Sequence, residues 1–467
     1  MTNPDPSRPA PGWRDLVRGG NAGPALVISG GISLHAVSIY VVATIMPVVV
    51  GEIGGVAFFA WTSTLYVAGS LAAAAGVPAL VAWRGTRAAY RIAFVLFMLG
   101  SLACALAPTM PLLLVGRLVQ GIGGGMLPAL GYASIRRLLP SALHAQAIAV
   151  LGSVWGVAAL LGPTVGGVFA GWGAWRAAFG IDVVIGLTFL ATAERVLPAH
   201  DGSGTMRRFA GLRLALLVLA AIAVSAGGVS GEPVQAVIGL VAAIGLIAVM
   251  LVLDARAPAR LLPGGAFNPG TPLGAVSATM ALVILAMAPC AFVAYLLHAG
   301  HGMPAIEGGY MSALIALAWT GVSLVTAGYQ RRGARATIIL GPALMAAGLA
   351  LDGWGLRTGA VPVVAAGQLL IGSGIGIGWA HLAALLMATA PAAERDAAGP
   401  FITTTQTLAA VFGSAIAGMV ANLAGLGQAT DPQAIAGTAP ILFGVLMIFP
   451  LAALVTAWQA LRLTPPG

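Results

Sequence analysis

The chain has 467 residues, of which 59% are hydrophobic and only 7% charged, whereas a soluble domain carries about 25% charged residues. So few charges exclude a water-soluble globule, and long apolar runs along the whole length exclude a transmembrane β-barrel, whose strands are short and alternate in polarity. The net charge of +9 does not indicate a nucleic-acid partner, because the basic residues stand singly or in small groups, with no basic patch interleaved with aromatics.

A run of about 20 apolar residues crosses a bilayer as a helix, and fourteen such spans are predicted. The first six run 24–50, 56–82, 91–108, 111–134, 146–171 and 175–195. Two more follow at 211–230 and 233–253, joined by "SGEP". The last six are 272–297, 307–328, 336–355, 360–388, 398–424 and 438–461. The expected fold is an all-α polytopic membrane protein, two parallel six-helix bundles with an extra central pair. Its expected division is a cytoplasmic tail at 1–23, a first bundle at 24–197, a linker with the extra helices at 198–260 and a second bundle at 261–467. The opening segment is polar and proline-rich and lacks the layout of a signal peptide.

All 22 basic residues are arginine. With the N-terminus cytoplasmic, 19 of the 22 fall in inner loops or tails; only Arg176 and Arg357 lie outside, and Arg117 lies within a span. That bias follows the positive-inside rule and predicts a bacterial-type plasma membrane protein with both termini cytoplasmic. Cys104 and Cys290 both sit in apolar runs, as small packed residues do rather than a disulfide or metal pair.

At an offset of 251 residues the chain resembles itself. "GRLVQGIGGGM" at 116–126 lies over "GQLLIGSGIGI" at 367–377, the loop prolines Pro140 and Pro391 coincide, and Gly162 and Gly167 meet Gly413 and Gly418. "RGTRA" at 84–88 matches "RGARA" at 332–336 at offset 248. Six helices per repeat is an even number, so the two halves run parallel, a known transporter plan.

Four passages resemble the 14-helix drug–proton antiporter branch of the major facilitator superfamily. They are "AWTSTLYVAG" (Trp61, Thr64, Tyr66), "LLLVGRLVQGIGGGMLPA" (Arg117, Gln120, Gly121, Gly123), "GVAALLGPTVGGVF" (Gly162, Pro163, Gly166, Gly167) and "WRAAFGID". The third passage has Ala158 in place of a first glycine, and the fourth has Asp182 where asparagine is common. The loop "PALVAWRGTR" keeps Gly85 and the basic Arg87 but has Ala82 where the family places an acid. The first span has Ser38 in the register of another family acid, with His35 one turn earlier. The resemblance implies a secondary transporter, with Pro163 and its glycines sealing one route through the protein.

An arginine at membrane depth costs at least about 2.5–3.5 kcal/mol, so Arg117 is expected to face the bundle interior or water. It either senses substrate and protons in a cavity or ties helices together through backbone carbonyls. "GIGGG" has the composition of a phosphate loop but lacks the preceding strand; small residues that let helices touch are the better reading. Asp182, about two turns into its span, is a proton-carrier candidate or a hydrogen-bonded structural acid. Gln120, Gln368 and Gln406 suit a polar cavity. Tyr40, Trp155, Trp319 and Trp379 suit an apolar substrate or simple helix packing. His35 and His381 lie in spans, while Glu307, His298 and His301 gather near the outer end of the ninth and tenth; interfacial positions are the plainer reading for that trio. No histidine spacing suggests a metal. No phosphate-binding loop ending in lysine is possible in a chain without lysine, and no cofactor is expected.

The expected function is export of small amphipathic compounds in exchange for protons by alternating access, by a monomer whose partners are a small-molecule substrate, protons and the lipid bilayer. A facilitator or importer of a metabolite without proton coupling is the open alternative. A membrane enzyme is not expected, because no catalytic set of side chains clusters at an interface.

Overall fold

The computed structural model describes residues 16, 18–140, 143–199, 211–257, 265–266, 268–326, 331–389 and 395–464. Arg8, Arg14, Arg207, Arg208, Arg260 and Pro391, which enter the orientation and repeat arguments above, lie outside the described residues. Among those described there is no strand, and fourteen helical segments are long and apolar enough to cross a membrane. In chain order they are α1 (Ala22–Ile53), α2 (Trp61–Arg84), α3 (Thr86–Ala105), α4 (Met110–Leu138), α5 (His144–Gly171), α6 (Trp175–Val196), α7 (Gly211–Gly228) and α8 (Pro233–Ala255). The rest are α9 (Pro272–His301), α10 (Ala305–Thr326), α11 (Arg331–Thr358), α12 (Val361–Thr389), α13 (Arg395–Leu423) and α14 (Pro432–Leu463).

The predicted count holds, while the ends differ and two spans are interrupted inside, the ninth at Ala288–Phe292 and the last at Thr438 and Met447. The third helix begins at Thr86 rather than 91, because Gly85 alone makes the turn, with φ +83°. Glycine adopts that left-handed backbone without steric cost. The ninth span is not one continuous helix. Its α-helical ladder gives way to a 3-10 turn at Ala288–Phe292, where Pro289 supplies no N–H. The last span starts at Pro432, capped by Asp431, whose Oδ1 accepts from the Ala434 N–H at 2.8 Å.

Helices α1–α6 form one bundle and α9–α14 the other, with matching contacts. In the first, α4 packs on α2 and α3, α1 on α5, and α3 on α6; in the second, α12 packs on α10 and α11, α9 on α13, and α11 on α14. Glycines make the matching contacts possible. Gly121 and Gly125 rest on the α2 backbone at Tyr66 and Ser70, as Gly372 and Gly376 rest on α10 at Ile315 and Trp319. Gly123 rests on α3 at Ala93 and Phe97, as Gly374 rests on α11 at Gly341 and Met345. Lipid gives helices no hydrophobic reason to associate, so close backbone approach of this kind drives their packing.

The "RGTRA/RGARA" match also has a structural purpose. Arg87 donates through Nε to the Leu197 carbonyl at 2.6 Å, at the end of α6. Arg335 donates to the Leu461 and Thr464 carbonyls at 2.5 and 3.1 Å, at the end of α14. Each arginine satisfies carbonyls that a helix end leaves without partners and complements its negative dipole.

The extra pair lies across the halves. On α7, Ala221 is buried with Ala68 of α2 and Val411 of α13. Helix α8 lies behind it, with Gly227 against Gly239 and Val237, Ile238, Val241 and Ile244 exposed on its outer face.

The halves meet at the end opposite the start of α1, here called the far end. Gly162 and Gly166 of α5 rest on Tyr40, Val41 and Thr44 of α1, and Gly167 meets Ile306 of α10. Gly309 of α10 packs on Thr44 and Pro163, and Thr164 pairs with Tyr310 at 2.5 Å. The second half reciprocates. Gly418 of α13 meets Ala60, Ser414 donates to the Ala60 carbonyl at 3.1 Å, and Asn422 donates to the Ala57 carbonyl at 2.8 Å. Phe59 packs against Phe292 and Tyr295 with tilted rings, centroids at 4.9 and 5.2 Å.

Candidate functional site

Five helices of the first bundle contribute polar side chains to one buried network, and the glycines of α4 create the room for it. Arg117 and Gln120 lie one turn apart on α4, both buried. Nε of Arg117 donates to the Thr62 carbonyl at 3.2 Å, Nη1 donates to Gln120 Oε1, and the guanidinium carbon lies 4.1 Å over the Tyr66 ring. A desolvated cation–π contact of this kind contributes about 2 kcal/mol. Gln120 turns its amide nitrogen the other way. Nε2 is 2.8 Å from Ser101 Oγ, 3.1 Å from Asp182 Oδ2 and 3.2 Å from Ser38 Oγ. Ser38 also donates to Asp182 Oδ2 at 3.0 Å. Gln120 therefore bridges the cation on α4 and the carboxyl on α6.

A second arm leads outward. The Tyr66 hydroxyl pairs with His35 Nδ1 at 2.8 Å, and the His35 ring meets Trp155 edge-on at 6.0 Å. Trp155 is 39% exposed, while His35 is 7% exposed. A Cβ at Gly124 would lie 2.6 Å from the Tyr66 hydroxyl and 3.1 Å from His35 Nδ1, so only glycine leaves space for that hydrogen bond. The run Trp155–His35–Tyr66–Arg117–Gln120–Asp182 connects an exposed indole to a buried acid by successive contacts. Arg117 binds a backbone carbonyl and faces polar partners inside the bundle.

The structure therefore brings together Arg117, Gln120, Asp182, Ser38, His35 and Trp155 from the expected set. Tyr40 is half-buried on α1 against Gly162, within the seal formed by Gly162, Pro163, Gly166 and Gly167. Gly85 and Arg87 belong to the α2–α3 turn and the cap on α6. The basic residues of that turn look to their own half, since Arg91 forms a bidentate pair with Glu194 at 2.6 and 2.7 Å. Trp379 meets Trp319 at 6.0 Å, and Gln406 is half-buried on α13. Glu307 is exposed at the start of α10. His298 and His301 bond backbone carbonyls at Met303 and Leu356, at 2.7 and 2.6 Å, and His381 that of Thr326 at 3.2 Å.

The sequence profile described as Major Facilitator Superfamily matches residues 28–414, from the first helix to the thirteenth. The chain belongs to the Major Facilitator Superfamily. It is similar to a probable multidrug-efflux transporter of Mycobacterium tuberculosis, at 33% identity over 96% of both chains. It is also similar to a multidrug resistance protein B homolog of that organism, at 28% identity over 81% of this chain and 72% of the other. Among solved structures it shares its fold with a peptide transporter (TM-score 0.66, 16% identity, 94% of this chain and 95% of the other). A D-xylose–proton symporter gives TM-score 0.63 at 15% identity, covering 95% and 98%. The protein is thus a multi-pass membrane transporter of this superfamily.

A further buried acid of this transporter does not stand out in the sequence. Asp352 on α11 is fully buried and accepts from Nε2 of Gln368 at 2.5 Å. The repeat held the signal: at offset 248 Asp352 falls on Cys104, and at offset 251 Gln368 falls on Arg117.

Proposed function

We propose that this transporter exports small amphipathic compounds in exchange for protons by alternating access, with the two bundles rocking about a site near the membrane midplane. The observation that carries the reading is the bridge from Arg117 through Gln120 to Asp182. A proton on Asp182 removes a negative charge from a network that already holds a permanent cation, so proton exchange and the packing of α1, α4 and α6 are coupled. The efflux relatives support the direction and the substrate class. The glycine face of α5, closed against α1 and α10, supplies a seal that parts and re-forms once per cycle. In this reading both termini are cytoplasmic, the membrane is a bacterial plasma membrane and the working unit is one chain.

The test uses purified protein in liposomes with ethidium as the transported probe. Uptake into liposomes with an acidic interior should fall roughly tenfold when the gradient is collapsed, a change of about 1.4 kcal/mol in driving terms. Asp182→Asn should abolish the gradient dependence while probe counterflow persists, and Arg117→Ala should lower both. Wild-type flux indifferent to the gradient would sink the antiport and favour the facilitator.

A further inference from the structure

The first bundle's network leaves a second buried carboxyl without a task. Asp352 and Gln368 are both fully buried, and Gln368 Nε2–H donates to Asp352 Oδ2. The other two oxygens, Asp352 Oδ1 and Gln368 Oε1, are buried with no hydrogen-bond partner. Buried polar atoms without partners are rare and call for an explanation. Here both are acceptors, so neither can satisfy the other while the carboxyl is a bare anion.

Among the described residues the surroundings offer no cation. From α12 the carboxyl meets Gln368 and Gly367, and Cys290 of α9 lies in the same buried cluster as Leu349 and Leu356 of α11. From α14 the packed face is apolar, with Phe443 set against Gly353 and Leu442 and Leu446 beside it. No arginine or histidine acts on Asp352 among the described residues. The matching place in the first bundle is different: Gly116 rests there on Cys104, beside Arg117. Cys104 and Arg117 in one half thus correspond to Asp352 and Gln368 in the other.

A single proton resolves the deficit. Placed on Oδ1, it gives the carboxyl an O–H to donate to Gln368 Oε1, while Nε2–H still donates to Oδ2. The result is a closed acid–amide pair with both oxygens satisfied. The 3-10 turn of α9 carries Cys290 into the buried cluster shared with α11, and broken helices at membrane depth are where carriers place ion sites. We propose that Asp352 is a second proton-carrying carboxyl, serving the C-terminal bundle, held in its acid form by the Gln368 amide and opened to water when the turn at Ala288–Phe292 moves. On opening, the Oδ1–H bond breaks and the proton passes to water, leaving the carboxylate; the return step reverses this. The consequence for transport rests on the antiport reading above, whereas the proton itself does not.

Infrared spectroscopy of the purified protein reads that proton directly. A C=O stretch of a protonated carboxyl should be present in wild type, with one component that persists in Asp182→Asn and is lost in Asp352→Asn. A spectrum unchanged by Asp352→Asn overturns the proposal. Should that variant fail to fold, Gln368→Leu serves instead: it removes the amide acceptor and should shift the band, and an unshifted band overturns the proposal equally. In ethidium-loaded liposomes, Asp352→Asn should lower the protons moved per ethidium while gradient-driven flux through Asp182 continues. Wild-type flux without gradient dependence defeats the antiport reading alone, since the spectrum still decides whether Asp352 holds a proton.

Discussion

At position 124 a hydrogen atom in place of a side chain decides whether Tyr66 and His35 can meet. Gly124→Leu should therefore eject the Tyr66 hydroxyl, leave His35 without its partner and loosen the Tyr66 ring from Arg117. Overpacking of this sort costs about 1–3 kcal/mol. The expected outcome is a lowered melting temperature and loss of gradient-driven ethidium uptake; unchanged uptake would detach the outward arm from function. Arg117, Gln120 and Asp182 were legible because ionic and amide groups stand out in apolar runs and are costly there. Ser101 was not, since a hydroxyl can bond its own helix, as Ser101 also does with Phe97, and so carries no signal of a partner. Asp352 was overlooked for another reason. It stands near the end of its span in "ALDGWGLR", where an acid ordinarily reaches the headgroups, and the packing of α12 and α14 against α11 encloses it.

At the scale of elements, two ion pairs on helices show how burial sets their worth. Arg91–Glu194 joins α3 to α6 with side chains 55% and 33% exposed, and exposed pairs contribute little. Arg213–Asp254 joins α7 to α8 with side chains 15% and 5% exposed. Breaking a buried pair leaves an uncompensated charge, at about 3–5 kcal/mol. Asp254→Ala should lower the melting temperature of the detergent-solubilised protein clearly, while Glu194→Ala leaves it nearly unchanged; equal effects would show that α8 is not pinned this way. The helices themselves were legible from length and apolarity. Their ends were less so, because Gly85 turns the chain in one residue and Asp431 caps a helix inside what reads as a loop. Proline alone did not reveal the break in α9: Pro47, Pro78, Pro128, Pro163 and Pro342 sit inside unbroken helices, whereas Pro289 coincides with a 3-10 turn.

For the whole molecule, the far-end seal is crossed: the fifth helix of each half grips the other half near its second helix. Gly167 meets Ile306 in one grip, and Gly418 meets Ala60 in the other. Cysteines at Gly167 and Ile306 should cross-link under oxidation and stop ethidium transport, with recovery on reduction. Full transport by the cross-linked protein would mean that this contact does not part during the cycle. The repeat was visible in sequence because close-packed glycines recur at fixed spacing, but the crossed grip was not. It joins residues whose smallness reads as ordinary helix packing until the two halves are set face to face.

Both native thiols are concealed, Cys104 in α3 and Cys290 in the interrupted stretch of α9. The unaltered chain is thus a nearly silent background for maleimide chemistry at introduced sites. Any slow, solute-dependent modification of Cys290 would then serve as a built-in clock for the loosening of that stretch.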